Sequence, residues 1–119
     1  MTSYETITYK GKEILYLDFR KAKTEQEMID MLVAGEKYLL NRNIPMLLLE
    51  NITGKFALPD FTKKAQEVSK NTKHLTLKEA IVGINGAKKL LLTFYSKFTG
   101  INIRAFNDED EAKEYLVKN

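Results

Sequence analysis

The chain of 119 residues contains no cysteine, one histidine and only two prolines. Without cysteine it forms no disulfide bond, no catalytic thiolate and no cysteine-ligated zinc site, which favours a cytoplasmic location. The N-terminal residues lack the basic start and apolar stretch of a signal peptide, and no apolar run approaches the ~20 residues of a membrane-spanning helix. Because His74 stands alone, we expect no metal, no cofactor and no acid–base cluster.

Positive charge is in small excess. The sequence has 19 basic and 16 acidic residues, a net charge of +3, and its basic residues are scattered along the chain. Nucleic-acid-binding proteins concentrate such residues on one face with interleaved aromatic residues, so no nucleic-acid partner is expected. An apolar fraction of 44% and a length of 119 residues are typical of one globular domain, spanning residues 1–119.

Hydrophobic periodicity predicts alternating strands and helices. Period-two alternation on both sides of Gly11 predicts a β-hairpin, since glycine adopts the positive φ of a tight turn. The unbroken apolar runs 45–49 and 80–84 predict strands covered on both faces, with Leu48 and Val82 buried, and 101–106 predicts a last strand. The order ββαβαβαβα predicts an α/β fold with a mixed, mostly parallel sheet flanked by helices.

Capping signals predict where the helices begin. Thr24 and Glu27 predict a reciprocal capping box, Pro59 suits the first turn of a second helix, and Asp108 opens the last helix. A third helix is predicted from 87 to 98. The residues expected to face the core are Met28, Ile29, Leu32, Val33, Leu39 and Leu40, then Phe61, Ala65 and Val68, and finally Ala112, Tyr115 and Leu116.

Three features of the sequence point to a known family. They are the order of the elements, the strand 46–49 and the closing segments Ala80-Ile81-Val82-Gly83, Arg104-Ala105-Phe106-Asn107-Asp108, Glu111-Ala112 and Tyr115-Leu116. Together they resemble the SpoIIAA-like branch of the STAS superfamily. This superfamily is named for sulfate transporters and anti-sigma-factor antagonists. The resemblance covers nearly the whole chain and is strongest from Glu79 onward. It implies a mixed sheet with helices, and a non-enzymatic module for protein interaction or ligand sensing.

The second helix departs from that resemblance. In the antagonists, a serine in an Asp-Ser-x-Gly-like motif begins this helix and is phosphorylated. The corresponding stretch here is Ala57-Leu58-Pro59-Asp60-Phe61, which has no hydroxyl at the switch position. We therefore expect a STAS-like module without the phospho-serine switch.

Two loops and one helix are candidate binding surfaces. Thr53, Gly54, Phe56 and Leu58 lie in and after the loop behind the strand 45–49, and a second set comprises Asn85, Gly86, Lys88, Lys89, Leu92 and Tyr95. Both loops are expected at the carboxyl edge of the sheet, where α/β folds bind ligands. The glycines 83 and 86 lack the spacing of a phosphate loop, but the lysines at a helix start would attract an anion.

The third predicted helix has an apolar sector roughly 200° wide, against the ~100° that one buried face requires. Leu92 lies outside the core-facing arc and Tyr95 lies on its edge. A neighbouring helix, a protein partner or second copy, and an apolar small molecule each account for the excess. The leading interpretation is a non-enzymatic interaction or ligand-sensing module, and the alternative is a carrier of a lipid or other apolar small molecule.

We predict that Leu92 lies in a homodimer interface, since a two-fold contact is the commonest way to cover such a stripe. Leu92→Glu would bury an unpaired charge and separate the dimer into folded monomers. Sedimentation of both proteins at matched concentration measures this. A wild type that is monomeric at ~100 µM, well above the Kd of a micromolar association, would contradict it.

Overall fold

The computed structural model describes residues 4–56, 58–84 and 103–119. These residues form a five-stranded sheet in the order β1-β2-β3-β4-β5, in which β1 and β2 are antiparallel and the other pairs are parallel. The strands are β1 Glu5–Tyr9, β2 Lys12–Asp18, β3 Met46–Asn51, β4 Thr76–Val82 and β5 Ile103–Phe106. The helices are α1 Glu25–Arg42, α2 Pro59–Thr72 and α3 Glu109–Val117.

The predicted hairpin is confirmed. Tyr9 and Lys12 form the last pair of the ladder between β1 and β2. Between them, Lys10 has a φ of 48° and Gly11 a φ of 81°. Positive φ at both central residues is the requirement of a type I′ turn, whose twist matches that of the two strands.

Of the two hydrogen bonds in the predicted capping box of α1, one is confirmed. The Thr24 hydroxyl accepts a hydrogen bond from the backbone N–H of Glu27 at 3.1 Å. The Glu27 carboxylate, however, accepts from the backbone N–H of Lys23, not from that of Thr24. The helix ends at Arg42. The residue that caps it, Asn43, has a φ of 54°, and its N–H donates to the Leu39 carbonyl at 2.9 Å.

Helices cover the sheet on both faces. One face packs against α1 and α2, and its buried cluster includes Leu17, Phe19, Met28, Met31, Leu32, Phe61, Ile81 and Ile103. The opposite face packs against α3, with a cluster of Ile14, Tyr16, Leu47, Leu49, Ala80, Val82, Ala112 and Leu116. Leu48 and Val82 are buried in inner strands, as predicted. None of the helices described is long and apolar enough to cross a membrane.

Three details of the sequence prediction are wrong. Strand β3 ends at Asn51, two residues after the predicted end, and strand β4 begins at Thr76, four residues before the predicted start, because each strand continues through a glutamate beside its apolar run. Val33 and Leu40 are 40% and 45% exposed, because α1 instead buries the stripe that contains Met31 and Gly35. Exposed aliphatic side chains cost little, so hydropathy alone does not identify the buried face. The predicted third helix, 87–98, lies outside the described residues.

We expect Leu49→Ala to lower the free energy of unfolding by about 2–5 kcal/mol, because Leu49 is completely buried and the truncation leaves a cavity. Leu77→Ala is the matched control. Leu77 is 58% exposed in the neighbouring strand, so its truncation is expected to cost about 0.5 kcal/mol or less. Urea denaturation of both variants compares them, and similar losses would contradict the burial of β3.

Candidate functional site

A cavity of about 260 Å³ lies between the sheet and the pair of helices α1 and α2. Its described lining is mainly apolar and includes Leu15, Leu17, Leu32, Gly35, Leu39, Leu48, Ile52, Phe61, Ala65, Val68, Ile81, Ile84 and Ile103, with Glu36, Glu50, Thr62, Gln66, Ser69 and Glu79 as polar members. Ligand pockets are clefts or cavities lined mainly by apolar side chains with a few polar groups, and this space, which is partly open to solvent, has that composition. It is the candidate binding site.

Two glutamates meet in this cavity because of the register between β3 and β4. Leu48 pairs with Glu79, and Glu50 pairs with Ile81. Side chains two apart in a strand point to the same face, so Glu50 shares a face with Leu48 and therefore with Glu79, one row away on the neighbouring strand. Their carboxyl groups are hydrogen-bonded to each other. Glu79 is 5% exposed.

Burial raises the pKa of both carboxyls. The negative charge of Glu79 raises the pKa of Glu50 further, well above its ordinary value of 4.5. Two carboxylates in contact cannot both ionise easily in an apolar environment, so the pair keeps a proton to a higher pH than an exposed glutamate does. Chemically, such a pair can donate that proton, or it can release it and bind a cation.

A third acidic residue faces the same space. Glu36 of α1 lines the cavity, and one of its oxygens accepts a hydrogen bond from the Asn71 amide of α2 at 3.1 Å. Every charged side chain in the described lining is therefore a carboxylate. In the part of the chain that the structure describes, neither Glu50 nor Glu79 forms an ion pair.

Gly35 contributes to the cavity by lacking a side chain. A methyl group at this position would lie 3.5 Å from the Leu17 Cδ atoms, which is ordinary van der Waals contact. Alanine would therefore fit, and glycine within a helix costs about 1 kcal/mol relative to alanine. Helix α1 approaches the sheet closely at this glycine, but the available space does not require glycine. Its effect is to keep that part of the cavity wall open.

The opposite face carries a polar network at the carboxyl ends of β2 and β3. Glu109 accepts hydrogen bonds from the Tyr16 hydroxyl and, at 2.7 Å, from the Asn51 amide. Arg20 lies 3.5 Å from Glu109 and forms two hydrogen bonds with Asp18, at 2.8 and 2.9 Å. These contacts attach the first turn of α3 to the edge of the sheet. Burial and the Glu109 contact raise the pKa of Tyr16.

The predicted site residues that the structure describes lie outside the cavity lining. Thr53 and Gly54 are exposed in the loop after β3, while Phe56 and Leu58 are 75% and 48% exposed before α2. His74 is exposed in the short turn that precedes β4. The other predicted surface residues, Asn85, Gly86, Lys88, Lys89, Leu92 and Tyr95, lie outside the described residues.

Sequence reasoning missed Glu50 and Glu79 because both lie beside the apolar runs that predicted the strands. Ending one strand at Leu49 and beginning the next at Ala80 left each glutamate in a loop. The sequence did contain a signal for Glu79. Leu77, Glu79 and Ile81 are spaced two residues apart, so in one continuous strand Glu79 lies on the same face as Ile81.

No protein-family model matches this sequence, and no curated protein matches it. A solved structure does: the crystal structure of an uncharacterized protein of the DUF3478 family from Shewanella loihica PV-4, described as having a SpoIIAA-like fold. The two chains share 14% sequence identity at a TM-score of 0.69, over 95% of this chain and 91% of the other. The chain therefore has a SpoIIAA-like fold, which confirms the fold that the resemblance implied.

The carboxyl pair makes stability depend on pH. Above pH 4.5 an unfolded glutamate releases a proton that the folded pair still holds. The free energy of unfolding therefore falls as pH rises, until the raised pKa values are passed. We expect Glu50→Gln, which keeps shape and hydrogen bonding, to gain stability relative to the wild type as pH rises from 4.5 through the raised pKa values of the pair. Urea denaturation across this range measures the difference.

Glu67→Gln, on the exposed side of α2, controls for the loss of one negative charge and is expected to follow the wild-type pH profile. A Glu50→Gln profile parallel to that of the wild type would contradict the assignment of a shared proton to this pair.

Proposed function

We propose that this chain is a STAS-like ligand-sensing module that acts by binding, without catalysis, and that it holds a small apolar molecule between its sheet and helices α1 and α2. The observation that carries the proposal is the cavity of about 260 Å³. It exceeds the ~150 Å³ engineered cavity that admits benzene, and it lies just below the ~300–1,000 Å³ range of ordinary ligand pockets. A one-ring or short-chain compound fits this size.

The chemistry of the cavity wall supports the proposal. The described lining is mainly apolar, and burying apolar surface against an occupant is favourable by about 25 cal/mol per Å². A ligand that binds only the folded state raises the free energy of unfolding, so binding and stability are expected to be coupled.

The location of the cavity supports a sensing role. Its walls come from inner strands of the sheet and from two helices that pack against each other. Phe61 of α2 contacts Phe19 edge-to-face, with ring centroids 5.3 Å apart, and Phe61 also lines the cavity. A ligand that repacks Phe61 would shift the start of α2, next to the exposed Leu58. A protein partner or second copy that contacts this loop would then detect occupancy.

We expect Ala65→Leu to abolish binding of a small apolar probe, because the larger side chain occupies the cavity from α2. Toluene serves as the probe, and the rise in Tm with toluene is the measurement. At ten times its Kd, a ligand that binds only the folded state adds about 1.4 kcal/mol to the free energy of unfolding. Ala65→Leu itself is expected to leave the fold intact, because it fills existing space.

Ala34→Leu is the matched control: the same substitution in α1 at a partly buried residue that is absent from the described lining. It is expected to retain the toluene response. Native mass spectrometry of the purified wild type adds a second measurement, in which a retained small apolar mass is expected. Equal toluene responses in Ala65→Leu and the wild type would show that the cavity is not the binding site.

A further inference from the structure

We propose that the preferred ligand carries a primary ammonium group on its apolar body, and that Glu50 and Glu79 together bind this group. The inference rests on the proposed function, since it assigns the chemical class of the molecule that the cavity holds. It adds a polar recognition element to a site whose remaining wall is mainly apolar.

Charge complementarity is the first reason. Glu36, Glu50 and Glu79 reach the cavity from α1, β3 and β4, while the described lining residues of β2, α2 and β5 are uncharged. The lining that the structure describes thus contains three carboxyl groups and no lysine, arginine or histidine. A cationic ligand would neutralise this site, whereas an anionic one would meet like charge on three sides.

The surroundings of the carboxyl pair are the second reason. The row that holds Glu79 continues to Leu48 on one side and Ile103 on the other, so apolar side chains flank the pair within the sheet. Glu79 is 5% exposed and its carboxyl is hydrogen-bonded to another acid. Two adjacent carboxylates offer several acceptor lone pairs, and an ammonium group offers three donors. The pair is therefore a receptor for a group rich in N–H donors.

Binding of an ammonium group would displace the shared proton. The cation favours the ionised form of both carboxyls, so the proton leaves the pair for the solvent as the ligand enters. Affinity is therefore expected to rise with pH while the pair still holds a proton, and to fall again when the amine itself deprotonates near about pH 10. A neutral ligand of the same shape would show no such rise.

The experiment compares 2-phenylethylamine with 2-phenylethanol, which differ in the charged group alone. Isothermal titration calorimetry in phosphate and in Tris gives both affinities and the number of protons released. We expect the amine to bind the wild type about tenfold more tightly than the alcohol, with proton release, since a charge-assisted contact exceeds a neutral one by about this factor. The double variant Glu50→Gln/Glu79→Gln is expected to bind both probes equally and release no proton.

Glu67→Gln is the control and is expected to keep the preference for the amine. Far-UV circular dichroism and a single urea transition establish that the double variant is folded. If the alcohol and the amine bind the wild type equally, or if the double variant keeps the preference, the ammonium site is wrong while the apolar cavity stands. If neither probe binds at millimolar concentration and toluene does not bind either, both this inference and the proposed function are overturned.

Discussion

The pairing of β3 with β4 is the constraint on which the site depends. Its register sets Glu50 one row beyond Glu79 on the same face. The pairing is extended past the strand ends by a hydrogen bond of 2.9 Å from the Ile52 N–H to the Val82 carbonyl. Immediately after it, Gly83 has a φ of 94°, and a Cβ there would lie 2.4 Å from the Thr53 Oγ1. Only glycine permits this approach, so the closing residues hold the two strands in register.

Both faces of the sheet are well packed, and one of them also borders the cavity. Against α3, completely buried side chains such as Leu49 and Ala112 belong to one cluster. The face covered by α1 and α2 also contains completely buried side chains, and two of these, Leu15 and Leu39, line the cavity. Gly35 leaves room there, where alanine would fit. The cavity is therefore a local feature of a face that otherwise contributes to stability.

Sequence reasoning predicted the parts of the fold that depend on local interactions. The hairpin at Gly11, the cap at Thr24 and the cap at Asp108, which accepts from the Glu111 N–H at 2.9 Å, each involve residues close in sequence. The fold resemblance also held, because it rests on the order of elements, and that order is independent of where a strand begins. Sequence reasoning did not predict the order of the strands in the sheet, because that order depends on contacts between distant segments.

Local sequence patterns could not predict the carboxyl pair, because it forms through the pairing of two distant strands. Glu50 and Glu79 lie 29 positions apart and become neighbours only through the β3–β4 register. Each glutamate, read alone, looks like the polar end of an apolar strand. The Val33 and Leu40 error has a related cause, because the buried face of α1 is selected by its contacts with the sheet and α2 and not by hydropathy. Tertiary contacts decide both cases.

The two acid clusters of this domain differ in how their charge is compensated. Glu109 receives the Tyr16 hydroxyl and the Asn51 amide and lies beside Arg20, so its position is explained by the attachment of α3 to the sheet. In the described structure, the pair Glu50 and Glu79 has no such set of donors and carries a raised pKa instead. An apolar residue at either position would be cheaper to bury. No residue that the structure describes neutralises this buried pair, and this is the physical reason for proposing a cationic ligand there.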